Sequence, residues 1–125
     1  MAVVLTEVFP NPAGRDTGKE WVELCNQETS LRQLSGWSLR TGAKSAKLPP
    51  LSLAPKACRV IGKGQLHLPL RNSNLSLSLV DAAGKVVSSI DYPGTVPEGM
   101  SVVQAGGAAI LARHPTPGSL QLAAA

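Results

Sequence analysis

Asn11, Asp16, Glu20 and Glu23 place three carboxylates and an amide within thirteen residues. An oxygen-rich set of this kind suits calcium. The segment lacks the D-x-D-x-D-G spacing of a calcium loop, however, and Arg15 and Lys19 offset part of its charge. A structural turn is therefore the better reading than a metal site. Two glycine-rich stretches come near phosphate-binding loops. Gly62-Lys63-Gly64-Gln65-Leu66-His67 lacks the third glycine of the dinucleotide fingerprint, and Gly42-Ala43-Lys44-Ser45 separates the glycine and lysine of a Walker motif by one extra residue. Neither sits on a strand-to-helix turn, which that chemistry requires. There is no G-x-S-x-G and no HExxH. His67 alternates with Leu66 and Leu68, and His114 precedes Pro115, so neither falls in a catalytic arrangement. Asn74-Leu75-Ser76 is a glycosylation sequon of a length that chance supplies often. The residues name no catalytic group, no metal and no cofactor.

Cys25 and Cys58 are the only cysteines, and neither belongs to a CxxC pair. One disulfide or two thiols would satisfy the count. Free cysteine is among the most buried residue types, which favours two core thiols. Charge is distributed unevenly. Residues 29–80 hold Arg32, Arg40, Lys44, Lys47, Lys56, Arg59, Lys63 and Arg71 without a single acid, while the flanking segments are net acidic. Such a block could meet a polyanion, with Arg40, Lys44, Lys47, Lys56, Arg59, Lys63 and Arg71 neutralising phosphates. Trp37 is the one aromatic within it, so stacking on single strands has little support. The alternative is a solvated surface that binds nucleic acid weakly and in a salt-sensitive way.

The elements that must position these residues are short strands. In 125 residues with a net charge of +4, 12 glycines and 10 prolines leave little room for long helices. No apolar run approaches the ~18–20 residues of a membrane span. Leu75-Ser76-Leu77-Ser78-Leu79 puts three leucines on one face and two serines on the other. Asp81-Ala82-Ala83-Gly84 supplies a turn, and Lys85 to Ile90 returns as the partner strand. Val3 to Val8 alternates, with Val4, Thr6 and Val8 on one side and Val3, Leu5 and Glu7 on the other. Lys19 to Ser35 is free of glycine and proline and spaces Trp21, Leu24, Leu31 and Leu34 tolerably for a helix. Glu20 to Cys25 nonetheless reads as a strand followed by a turn at Asn26 to Ser30, with room for a short helical turn at Leu31 to Leu34. About eight or nine strands result, without βαβ alternation or internal repeat, which describes an antiparallel sandwich or barrel. Trp21, Trp37, Leu77 and Leu79 are the expected anchors of its core.

These residues resemble a family. Val4-Leu5-Thr6-Glu7-Val8, Asn11-Pro12, Asp16, Glu20-Trp21-Val22-Glu23-Leu24 and Asn26 are similar to the opening of bacterial lamin tail domains. The resemblance continues through Leu34-Ser35-Gly36-Trp37-Ser38-Leu39, the hairpin Leu77 to Gly84, Ser89-Ile90-Asp91-Tyr92 and Thr116-Pro117-Gly118. It implies an immunoglobulin-like β-sandwich without enzymatic activity, used as an accessory module in secreted or cell-surface proteins. Glu20, Glu23 and Asn26 then tie down turns and strand ends. The chain carries no heptad segment, so filament formation through a coiled-coil rod has no support.

The domain is expected over residues 1–119, with 120–125 a disordered tail or expression-vector remnant. No signal peptide is read at Met1 to Leu5, and the chain reads as a module taken from a longer protein. Two functional expectations follow. The first is a structural module that contacts a protein partner, or its own copies, through sheet edges such as Val3 to Val8 or Ala108 to Ala112. The second is an accessory module that binds nucleic acid or another polyanion through residues 29–80.

Overall fold

β-Branched residues and leucines alternate with polar ones between glycine and proline breaks, so the backbone has strands as its main option. The computed structural model describes residues 3–10, 20–62, 68, 70, 73–105 and 108–112. Over these residues the chain forms eleven strands and no helix. They are β1 (Val3–Phe9), β2 (Trp21–Asn26), β3 (Arg32–Gln33), β4 (Ser38–Thr41), β5 (Lys44–Lys47) and β6 (Ser52–Leu53), then β7 (Cys58–Gly62), β8 (Ser73–Val80), β9 (Val86–Thr95), β10 (Ser101–Ala105) and β11 (Ala108–Ala112). The count exceeds eight or nine because β3 and β6, two residues each, have no alternation of their own to read.

One sheet has the order β11-β10-β1-β2-β7, a second has the order β5-β4-β8-β9, and β3 pairs with β6 in a small ribbon. All pairings are antiparallel. The two larger sheets share one core. Val3, Leu5, Val8, Val22, Leu24, Ile61 and Val102 meet Leu39, Leu75, Leu77, Leu79 and Ile90 there, with Trp37 in the same buried cluster. Leu5 N also donates to Ser88 Oγ of the opposite sheet at 3.1 Å.

Simple alternation along β1 fails at one point. The β1–β2 register shifts between Leu5 and Glu7, which makes Thr6 a bulge residue. Val3, Leu5 and Val8 therefore all face the core, and Glu7 does not share their side. β1 is also interior, flanked by β10 and β2, so it offers no edge to a partner.

Trp21 departs from its expected role for a related reason. Val22 and Leu24 take the core side of β2, which leaves Trp21 on the opposite pleat. There it is half-buried and packs on Phe9, ring centroids 5.5 Å apart. The cysteines are corrected too. Cys25 and Cys58 lie opposite each other in the β2–β7 register, with Cα atoms 4.0 Å apart, and are joined in a disulfide. A separation of 33 residues conceals this adjacency in the sequence. Leu31 to Leu34 holds β3 instead of a helical turn.

Asn26 closes β2. Its Nδ2 donates to the carbonyls of Ser30 (2.9 Å), Leu53 (3.0 Å) and Ala54 (3.2 Å), and its Oδ1 accepts from Glu28 N at 2.9 Å. One buried amide thus shapes the turn after β2 and ties it to β6.

Three stability outcomes follow. Closing a loop of this length with a disulfide contributes about 3–4 kcal/mol in the chain-entropy description. Urea unfolding in a dithiol reductant should show a midpoint lowered accordingly, and an unchanged midpoint would contradict the structural role given to Cys25–Cys58. Asn26→Ala strands buried carbonyls and should cost about 2–3 kcal/mol. Asn26→Asp should cost at least as much at neutral pH, because a carboxylate donates nothing to those carbonyls. The same unfolding assay measures both.

Candidate interaction surfaces

Opposite the core, the five-stranded sheet carries a polar network. Thr6 Oγ1 donates to Glu23 Oε1 at 2.7 Å and lies 3.3 Å from Cys25 Sγ. Ser101 Oγ donates to Glu7 Oε2, and Glu7 sits opposite Glu23 in the ladder. Thr6, Glu7, Glu23, Cys25 and Ser101 are all fully buried. Glu23 is therefore a mid-strand anchor and does not tie down a turn. Glu20 is buried just before β2. Asn11 and Asp16, the rest of the oxygen set, lie outside the described residues. Glu23, Cys25 and Cys58 approach one another within 4.8 Å, close enough for a metal site, but both sulfurs are committed to the disulfide. Sequence reading missed Thr6, Glu7 and Ser101 because the bulge that brings them together has no composition signal.

Two shallow clefts are lined by described residues. One is formed by Gln27, Glu28, Thr29, Ser30 and Lys56, where Lys56 Nζ donates to the Gln27 carbonyl and Glu28 is paired with Arg32. The other runs along Asn74, Leu75, Ser76, Asp91, Tyr92 and Pro93. In it Ser76 Oγ donates to Asp91 at 2.6 Å, a cross-strand pair with no imidazole among the described residues to complete a catalytic relay. Asn74 of the sequon is exposed at φ 51°, its Oδ1 accepting from Gly94 N. His67 and His114 lie outside the described residues.

The basic block that is continuous in sequence is divided in space. Arg32 is paired with Glu28 at 2.7 Å and stands 5.8 Å over the Trp37 ring. Lys56 Nζ donates to the Gln27 carbonyl in the loop before β7, and Arg59 is exposed on β7, in the other large sheet. Lys63 and Arg71 lie outside the described residues. Arg40, Lys44 and Lys47 remain together on the β4–β5 hairpin. Register separates even these. Leu39 and Ala46 pair and face the core, so Lys44 belongs to the inner pleat and Arg40 and Lys47 to the outer one. Beside them on the outer pleat lie Ser38, Ser45, Ser76, Ser78 and Ser89. Only the alternation around Leu75 to Leu79 announced this serine face in the sequence.

The last surface is the sheet edge. Among the described residues β11 ends the five-stranded sheet. Ala109 and Leu111 pack on the core, while Ile110, on the opposite pleat, is 47% exposed. Among the described residues no helix is long and apolar enough to cross a membrane.

Comparison with known proteins agrees with this architecture. Neither a curated protein nor a solved structure matches the chain significantly. The sequence model of the family described as Lamin Tail Domain matches residues 1–94, which takes in β1 to β8 and most of β9. Its members are immunoglobulin-like domains of a non-enzymatic, interaction type. With the match spanning well over half the sequence and the sandwich in place, this chain belongs to the lamin tail domain family.

Proposed function

We propose that this lamin tail domain is a non-catalytic module that associates with a second copy of itself through the edge of β11. The observation that supports this reading is the contrast among the sheet edges. β5 carries the exposed Lys44 and Lys47, and β7 carries the exposed Arg59. β9 contains Pro93, and its Ser89 carbonyl already accepts a hydrogen bond from Gln104 Nε2. Charge, proline and covering contacts are the means by which edge strands avoid pairing. Ala108-Ala109-Ile110-Leu111-Ala112 has no charge and no proline.

The β11 sequence is also suited to meeting itself. Antiparallel pairing about Ile110 aligns Ala108 of each copy with Ala112 of the other. Ala108 and Ala112 flank Ile110 on its own pleat, and the two exposed isoleucines come side by side there. The same patch then serves both partners, so the contact closes as a two-fold dimer and does not propagate as a fibre. Backbone hydrogen bonds give such a contact its affinity, and the central side chains give it register. In this reading the domain extends through β10 and β11, beyond the matched segment. The disulfide fits a secreted or cell-surface setting, where oxidising conditions preserve it.

Sedimentation velocity from micromolar to near-millimolar protein tests the reading. The wild type should move from monomer to dimer with rising concentration. Ile110→Lys places a charge at the dyad and should hold the protein monomeric, with its thermal midpoint within a few degrees of wild type. A wild type that stays monomeric throughout, or an Ile110→Lys variant that still dimerises, overturns the assignment.

A further inference from the structure

The outer pleat of β5-β4-β8-β9 has a chemistry of its own. Ser45, Arg40, Ser78 and Ser89 are in register across all four strands and form one row; Lys47 and Ser38 begin the next. Strands lie ~4.8 Å apart, so the row offers a hydroxyl or a cation at intervals close to the length of one sugar ring. The right-handed twist of the sheet turns this row into a shallow ribbon, the form an extended glycan takes. Arg40, Ser45 and Lys47 are exposed, and among the described residues neither cation has an ion-pair partner. Charge on the face is graded. The cations lie at the β4–β5 side, and Asp91, held by Ser76, marks the β9 side.

We infer that this face docks an acidic polysaccharide, with Arg40 and Lys47 taking carboxylate or sulfate groups and Ser38, Ser45, Ser78 and Ser89 bonding the sugar hydroxyls. Three observations select this occupant over nucleic acid. No aromatic side chain stands among these outer-pleat residues, so bases have nothing to stack on. Two cations with an acid at the far side suit a chain that carries a charge on some sugars and none on others. They suit a phosphate on every residue poorly. The Cys25–Cys58 disulfide points to an oxidising compartment, where the polyanions to be met are extracellular glycans. The inference is independent of the β11 reading, because the two surfaces belong to different sheets.

Affinity electrophoresis through gels containing half-methyl-esterified polygalacturonate, which carries a carboxylate on some sugars and none on others, tests it, with neutral dextran and oligothymidylate as comparison ligands. Polygalacturonate should retard the wild-type protein and dextran should not. Arg40→Ala combined with Lys47→Ala should weaken binding at least tenfold, and Ser78→Val several-fold, with thermal midpoints close to wild type. Lys56→Ala combined with Arg59→Ala removes the same charge elsewhere and should leave binding unchanged. The monomeric Ile110→Lys variant should bind as wild type does, which keeps a failure of one proposal distinct from a failure of the other. Equal loss in both double variants would reduce the effect to net charge and overturn the assignment. Tighter binding to oligothymidylate than to polygalacturonate, or no retardation at all, would also overturn it.

Discussion

β1 lies at the centre of the larger sheet, and the one-residue shift between Leu5 and Glu7 decides what each face of that sheet contains. Without the shift, strict alternation would carry Glu7 to the side of Val3 and Leu5 and put a carboxylate among the core leucines. Burying a charge there without partners would cost several kcal/mol. With the shift, Val8 continues the apolar row, and Glu7 joins Glu23 on the far side. Thr6, the bulge residue itself, supplies the hydroxyl that Glu23 accepts. The same irregularity therefore builds the core and the polar layer behind it.

The neighbouring features depend on this arrangement. The β1–β2 pairing keeps Cys25 on the far pleat, where β7 presents Cys58 to it. The disulfide then fastens β7, one edge of the sheet, to an interior strand. Asn26 ends β2 and holds the following turn against β6, next to the chain that leads into β7. One edge of the five-stranded sheet is thus covalently secured and charged, while β11 at the other end is small, apolar and uncharged. That asymmetry distinguishes a protected edge from one suited to a partner.

Much of the fold was legible because it rests on local pattern. Leu75 to Leu79 alternates without interruption, and the Asp81 to Gly84 turn is enforced by Asp81 Oδ1, which accepts from Ala83 N and Lys85 N. Gly84 takes φ 85° there, a region that favours glycine. The misread positions depend on registers between distant segments. The facing of Glu7 depends on a bulge with no glycine to mark it, and that of Trp21 on which neighbours in β2 claim the core. The disulfide depends on a pairing formed across 33 residues. The basic block shows the same limit, since closeness in sequence placed Arg40 with Lys56 and Arg59 although the sheets carry them to different surfaces. Family resemblance supplied the sandwich but not the registers that divide its edges and faces.

Hydrogen–deuterium exchange at low and high protein concentration bears most closely on association through β11, because it reports the backbone groups on which an edge contact depends. Amides of residues 108–112 should gain protection as concentration rises, while those of β5, β7 and β9 exchange at unchanged rates. Protection that grows at another edge, or none that depends on concentration at β11, would contradict it.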